Sequence, residues 1–195
     1  MFTLQQIDDR IEKTLLLLKK HQDEEKGFAT SVTQPQNNTP DVWMKEMRNA
    51  FVPANVLVPL TLIKSKLAQE ILKAEYNYLN SNRNASGLWH YFNNRQAPYF
   101  IPYETDTNSL LSFISGRLGE KSIPKERFHE QLSPNGYFNL WFLPKTKLLF
   151  FAPLFYLSVQ RNWSKAQNFL AFKNKVVNKV DAEFSVSANV LLYTG

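Results

Sequence analysis

The sequence predicts an all-α protein that forms a single helical domain over residues 1–195. In several segments apolar residues recur at spacings of three and four, the pattern of a helix with one buried face. The sequence lacks short β-branched runs joined by hairpin turns, which would predict strands. Hydrophobic residues make up 44% and aromatic residues 14% of the chain, enough apolar material to build a core.

The first predicted helix has an apolar face at helical spacing, formed by Leu4, Ile7, Ile11, Leu15 and Leu18. Acids at 8–9 and bases at 19–20 lie where the helix dipole would favour them, and Gly27 follows as a stop signal. We therefore expect residues 1–27 to form an N-terminal helix. Residues 28–40 are rich in Thr, Ser, Gln, Asn and Pro, a composition that predicts a loop.

Residues 41–195 are expected to hold paired helices. The pattern predicts a short helix capped by Asp41, then helices at 52–63, 66–79, 105–114, 148–160, 163–178 and 184–193, and one short helix within 116–134. The last helix reaches almost to Gly195, and the sequence leaves open whether the chain is a fragment of a longer protein.

Composition excludes several functional classes. The chain has no cysteine, so it has neither disulfides nor zinc thiolate sites nor cysteine nucleophiles. No signal peptide is apparent at the N-terminus. The most apolar stretch, residues 148–159, is shorter than the roughly 20 residues that a membrane span needs. We expect a cytoplasmic protein without a membrane span.

Charge and motif patterns favour neither nucleic acid nor a cofactor. The net charge is +6, but the basic residues are scattered, as on a solvated surface, and no nucleic-acid module is recognised. The histidines His21, His90 and His129 lack metal-ligand spacing, and no Gly-rich phosphate loop occurs. We predict no metal and no cofactor, and we expect His90 to be a packed core residue.

Two glycine turns are followed by aromatic clusters. Residues 87–91 read Gly-Leu-Trp-His-Tyr, and residues 136–141 read Gly-Tyr-Phe-Asn-Leu-Trp. We expect Trp89 and Trp141 to be buried and to anchor a turn between helices, because a large ring fills the wedge where two helices diverge. Such clusters form a core or line a ligand cleft. In the second case Trp89, Tyr91 and Trp141 would contact the ligand.

A pair of acids precedes an apolar helix. Residues 101–111 read Ile-Pro-Tyr-Glu-Thr-Asp-Thr-Asn-Ser-Leu-Leu, so that Glu104 and Asp106 lie two residues apart. One interpretation is helix capping, with Thr105 or Asp106 at the N-cap. The other is acid catalysis, in which a buried carboxyl group stays protonated at neutral pH.

These features resemble the α/α-toroid proteins that include squalene and hopene cyclases. In that family an Asp-x-Asp-Asp-Thr motif follows an Ile-Pro-like lead and opens an inner helix, and Gly-x-Trp turns join helix pairs. Residues 180–191, Val-Asp-Ala-Glu-Phe-Ser-Val-Ser-Ala-Asn-Val-Leu, are similar to an inner helix of bacterial members. The resemblance spans about residues 54–195 and implies an incomplete toroid of antiparallel helix pairs with aromatic-rich turns. The related protein prenyltransferases use a zinc site that this cysteine-free chain lacks.

The resemblance implies two functions. The first is a non-catalytic domain that binds an isoprenoid, another apolar ligand or a partner on its concave face, with Asp181 and Asn189 beside the aromatic residues; a second copy or a partner would close the ring. The alternative is a cyclase that protonates an isoprenoid alkene. In one register Glu104 and Asp106 match the motif and Asp106 is the general acid; in the other Thr105 takes the central position and the acid is missing. The sequence leaves open whether the protein is an enzyme.

Overall fold

The described part of the chain is all-α. The computed structural model describes residues 2–25, 28, 49–84, 87–91, 103–142 and 184–195. These residues form six helices: α1 (Leu4–Glu25), α2 (Phe51–Leu60), α3 (Lys66–Ser81), α4 (Thr105–Arg117), α5 (Lys125–His129) and α6 (Phe184–Thr194). Within the same ranges, β-type pairing is limited to isolated bridges.

The predicted helices that fall in the described ranges are confirmed, with shifted ends. Helix α2 ends at Leu60, before the predicted end at residue 63, and α4 continues to Arg117, beyond the predicted residue 114. The helices predicted after Asp41 and at 148–160 and 163–178, together with most of the predicted loop 28–40, lie outside the described residues. None of the six helices described is long and apolar enough to cross a membrane.

Helix α1 is only partly attached to the core. Leu15 is buried and Leu18 packs against the core, but the earlier positions of the same apolar stripe, Leu4, Ile7 and Ile11, are exposed. The attachment is to α3, where the Gln22 side-chain amide donates to the Ile71 carbonyl at 3.0 Å. The dipole expectation was wrong, because the helix extends to Glu25 and its first and last turns contain no favourably placed charges.

Helix α3 has a polar cap and one buried face. The Ser65 hydroxyl accepts the main-chain N–H of Ala68 at 3.0 Å and so satisfies one of the unpaired groups at the helix start. Its buried positions follow helical spacing: Ala68, Ile71, Leu72, Glu75, Tyr76 and Leu79. This face packs on α1 and α2.

Helix α4 is the central helix of the described structure. It packs against both α2 and α6, and nearly all its residues up to Ser115 are buried. Many of them are polar, so their side chains need partners within the protein. One such contact joins Ser115 to the hydroxyl of Tyr76 on α3 at 2.8 Å.

Two turns with the same geometry connect these helices. We call the described residues 83–84 and 87–91 the Gly87 turn and residues 132–140 the Gly136 turn. Gly87 has φ of 83° and Gly136 has φ of 85°, values that residues with a Cβ rarely adopt. Each glycine follows a bridge residue by four positions and precedes the bridge partner by two: Arg83 pairs with Trp89, and Leu132 pairs with Phe138.

The main-chain hydrogen bonds of the two turns also correspond. In the Gly87 turn, the N–H of Asn84 donates to the Leu88 carbonyl at 3.0 Å, and the glycine N–H donates to the Asn84 carbonyl at 2.9 Å. In the Gly136 turn the equivalent bonds run from Ser133 to Tyr137 at 2.8 Å and from the glycine to Ser133 at 3.0 Å.

Each turn joins the starts of two helices. The N–H of Trp89 donates to the Asn108 side chain at 2.9 Å, and the N–H of Phe138 donates to the Ser187 hydroxyl at 3.0 Å. Asn108 and Ser187 are the fourth residues of α4 and α6.

At its other end, each turn has a carbonyl that accepts a main-chain N–H at the start of an earlier helix. Ala50, which precedes α2, donates to the Tyr91 carbonyl at 2.7 Å; Thr105, which begins α4, donates to the Leu140 carbonyl at 2.7 Å. The Gly87 turn thus links α2 to α4, and the Gly136 turn links α4 to α6.

This correspondence corrects one sequence prediction. We expected Trp141 to be the buried anchor of the second turn, but the residue equivalent to Trp89 is Phe138, which is buried. Trp141 is partly exposed. The reason is geometric: the anchor follows the glycine by two residues, whereas Trp141 follows it by five.

Replacing Phe138 by Ala should lower the free energy of unfolding by about 3–5 kcal/mol, because a buried ring is lost and a cavity remains. Replacing its exposed neighbour Tyr137 by Ala should change it by less than about 1 kcal/mol. Chemical denaturation of the two variants measures the difference. Equal losses for both would show that Phe138 does not anchor the turn.

Candidate functional site

Most of the predicted site residues meet at the start of α4. The Gly87 turn carries Trp89 and Tyr91 to this end of the helix, where Glu104 and Asp106 lie. Trp141 pairs with Glu104 in an antiparallel bridge. Trp89, Tyr91 and Trp141 therefore lie near the acid pair, although they are far apart in sequence.

Helix α4 begins at the predicted residue, but its N-cap lies before the two positions expected for it. Glu104, rather than Thr105 or Asp106, is the N-cap residue, with an extended backbone at φ of −90° and ψ of 140°. The bridge to Trp141 explains the difference, because Thr105 donates to the Leu140 carbonyl and Phe142 donates to the Tyr103 carbonyl at 2.8 Å. This pairing holds residue 104 extended, so the helix begins immediately after it.

Both carboxylates accept hydrogen bonds from the first turn of α4. Oε2 of Glu104 accepts the hydroxyl proton of Thr107 at 3.0 Å, and Oδ1 of Asp106 accepts the main-chain N–H of Thr107 at 2.7 Å. Glu104 is partly buried, whereas Asp106 is only 7% exposed. Acceptance of N–H and O–H groups at a helix start stabilises the ionised form of a carboxyl group.

The electrostatic effect of the two acids reaches Tyr91. Burial raises the pKa of the Tyr91 hydroxyl above its ordinary value, and the nearby charges of Glu104 and Asp106 raise it further. Both causes act in the same direction, since each disfavours a phenolate. Tyr91 therefore stays a neutral hydroxyl group at this site under ordinary conditions.

Asn108 is the site residue that the sequence analysis missed. Its side chain is fully buried and bonds three main-chain groups: Oδ1 accepts the N–H of Trp89 at 2.9 Å, and Nδ2 donates to the carbonyls of Trp89 at 2.9 Å and of Glu104 at 2.8 Å. The signal in the sequence is an Asn inside a predicted helix, where its amide competes with the helix backbone and is disfavoured unless it has another role.

Trp89 and His90, which are neighbours in the Gly87 turn, are both buried. Trp89 is buried, as predicted, and the Arg83 guanidinium carbon lies 4.1 Å from the centre of its ring system. His90 is also buried, with its ring 4.2 Å from that of Tyr103, as expected for a packed histidine. A cavity of about 20 Å³ beside Trp89 and His90 has room for about one water molecule.

Two further predicted residues are not part of the described cluster. Asn189 lies on α6, partly buried, and α6 packs against α4. Asp181 lies outside the described residues. Within the ranges that the structure describes, no three His, Asp or Glu side chains are grouped in a way that could hold a metal ion.

Comparison of the chain with protein-family models, with curated proteins and with solved structures finds no match. The toroid resemblance therefore rests on the motifs of this sequence.

Alanine substitutions of the two tryptophans should distinguish the buried ring from the partly exposed one. Trp89→Ala removes a buried ring and should lower the free energy of unfolding by about 3–5 kcal/mol. Trp141→Ala, at a partly exposed position, should lower it by clearly less. Urea denaturation followed by circular dichroism measures both. A loss below about 1 kcal/mol for Trp89→Ala would contradict its role as the anchor of the Gly87 turn.

Proposed function

We propose that this chain is a non-catalytic helical domain of the α/α-toroid type that binds an apolar ligand. The non-catalytic part of the proposal rests on the hydrogen bonds that the two acids accept. Glu104 and Asp106 both act as acceptors for the first turn of α4, with the short 2.7 Å bond from the Thr107 N–H to Asp106. A carboxylate is the better acceptor, whereas an acid catalyst must keep its proton.

The repeated turns support the toroid part of the proposal. The Gly87 and Gly136 turns share the glycine conformation, the bridge and the hydrogen bonds to the helices on either side. Repetition of a helix-turn-helix unit with the same attachments is what a ring or solenoid of helix pairs requires. Two expectations stay predictions from the sequence. One is that a second copy or a partner closes the toroid, and the other is that the protein is cytoplasmic.

The proposed binding surface lies where the two turns meet α4. Tyr91, Glu104 and Trp141 are each partly exposed there, beside buried Asp106. Two aromatic side chains next to a few polar groups are typical of a small-molecule site, in which rings supply apolar contact and polar atoms set orientation. The apolar ligand of the proposal would contact the rings of Tyr91 and Trp141.

A second candidate is a cyclase with Asp106 as the general acid. One observation favours it: Asp106 is buried and lies close enough to Tyr91 to affect the pKa of that hydroxyl. Burial disfavours a carboxylate, and a protonated Asp106 could donate to an isoprenoid alkene. Ring faces near the site would then stabilise a carbocation.

The variant Asp106→Asn separates the two candidates, because Asn keeps an acceptor for the Thr107 N–H but cannot supply a proton. For a binding domain, we expect the free energy of unfolding to fall by less than about 1 kcal/mol. Binding of farnesol, measured by the change in tryptophan fluorescence, should survive. Wild type should not convert farnesol or squalene, as measured by mass spectrometry.

The control is Asp8→Asn, which makes the same chemical change at an exposed position of α1. Isoprenoid turnover by wild type that Asp106→Asn abolishes and Asp8→Asn retains would reject the binding-domain proposal in favour of the cyclase. In that case the stability of Asp106→Asn should hold or rise, since a costly buried acid has been removed.

A further inference from the structure

A second concave surface lies between the Gly87 turn and the segment that leads into α5. It is an open cleft of about 450 Å³, lined on one side by Asn80, Arg83 and Asn84 and on the other by Lys121, Ser122 and Arg127. Its volume falls within the range of small-molecule sites, roughly 300–1,000 Å³. None of its lining residues belongs to the surface formed by Tyr91, Glu104 and Trp141, so the cleft is a separate surface.

The cleft is positively charged. Arg83, Lys121 and Arg127 line it, and none of the described residues that line it is an acid. Within the described ranges, none of these three side chains forms an ion pair with a carboxylate; the ion pairs found there are Lys19 with Asp23 and Lys66 with Glu70. Cations gathered in a concave site without counter-charges create a local field that attracts anions.

Arg83 is held rigidly at the wall of this cleft. Its Nε donates to the Gly87 carbonyl at 2.8 Å, and its Nη1 donates to the Lys121 carbonyl at 2.6 Å. Its guanidinium also lies over the Trp89 ring, 4.1 Å from the centroid. These contacts fix the plane of the guanidinium, while Nη2 has no acceptor among the described residues. A fixed guanidinium loses little conformational freedom when it binds an anion.

Among the described residues, no carboxylate forms an ion pair with Arg83. Burial lowers the pKa of its guanidinium, because removal from water disfavours the charged form, and Tyr76 opposes this effect. The partners of Nε and Nη1 are neutral carbonyls. An anion in the cleft would supply the missing negative charge.

We propose that this cleft binds a phosphorylated small molecule, with the phosphate group between Arg83, Lys121 and Arg127. A phosphate monoester carries close to two negative charges and three acceptor oxygens, which suits several converging cations better than a single carboxylate does. The planar guanidinium of Arg83 binds phosphate oxygens directionally, and the Lys121 ammonium adds a mobile point charge. This inference goes beyond the proposed function, because it concerns another surface and does not require an apolar ligand.

The test uses the full chain, with inorganic phosphate and glycerol phosphate as probes and isothermal titration calorimetry as the measurement. The variants Lys121→Gln and Arg127→Gln each remove one cation from the cleft. The matched control is Arg117→Gln, at an exposed position in the last turn of α4 that does not line the cleft. Lys121 bonds Arg83 through its main-chain carbonyl, so its side chain can be changed without removing that bond.

We expect saturable binding of both probes to wild type and to Arg117→Gln. Lys121→Gln and Arg127→Gln should each weaken it about tenfold, the ratio expected for the loss of one charge-assisted hydrogen bond. Acetate at equal ionic strength should not compete. Circular dichroism should show all three variants folded.

Three results would overturn the proposal: no binding of either probe to wild type, equal weakening in Arg117→Gln, which would indicate attraction to net charge alone, or acetate that competes as well as phosphate. Trp141→Ala tests the independence of the two surfaces, since it should leave phosphate binding unchanged. Loss of phosphate binding in that variant would contradict a separate site.

Discussion

The described structure depends on one type of contact, in which a side chain at the fourth position of a helix bonds the main-chain N–H of a turn aromatic. Asn108 bonds Trp89 in this way, and Ser187 bonds Phe138. Both aromatic residues are buried, and an unpaired buried N–H group costs about 1–3 kcal/mol. Because neither aromatic residue belongs to a helix, a neighbouring side chain must supply its partner. That requirement sets the position of each turn on the helix that follows.

The polar composition of α4 follows from the same requirement. Three of its buried polar side chains bond atoms of neighbouring segments: Asn108 bonds the Gly87 turn, Ser112 accepts the N–H of Ile123 at 3.4 Å, and Ser115 contacts Tyr76. A fully apolar α4 would remove these partners from the main-chain N–H groups of Trp89 and Ile123 and from the hydroxyl of Tyr76. The acids at its start accept hydrogen bonds from Thr107 of the same helix, which is why we interpret them first as acceptors.

The sequence predicted the helices better than the contacts between them. Helical spacing identified α1 and α3, and the glycines identified both turns, because period and backbone conformation are local properties. Leu4, Ile7 and Ile11 fit the same pattern as Leu15, yet they are exposed, since burial depends on where α3 lies. Trp141 was predicted as the anchor because its ring is large, whereas distance from the glycine decides that Phe138 anchors the turn. Asn108 escaped notice because its partners lie on another segment, and Arg83 because its cleft forms only in three dimensions.

Native-state hydrogen exchange in the variant Asn108→Ala tests most directly whether this side chain holds the Gly87 turn on α4. The N–H of Trp89 is the reporter, and the N–H of Phe138, whose acceptor Ser187 is unchanged, is the internal control. The account predicts that protection of Trp89 falls at least about tenfold more than protection of Phe138, as expected when one buried hydrogen bond opens locally. Equal losses at both positions, or an unchanged Trp89, would contradict it.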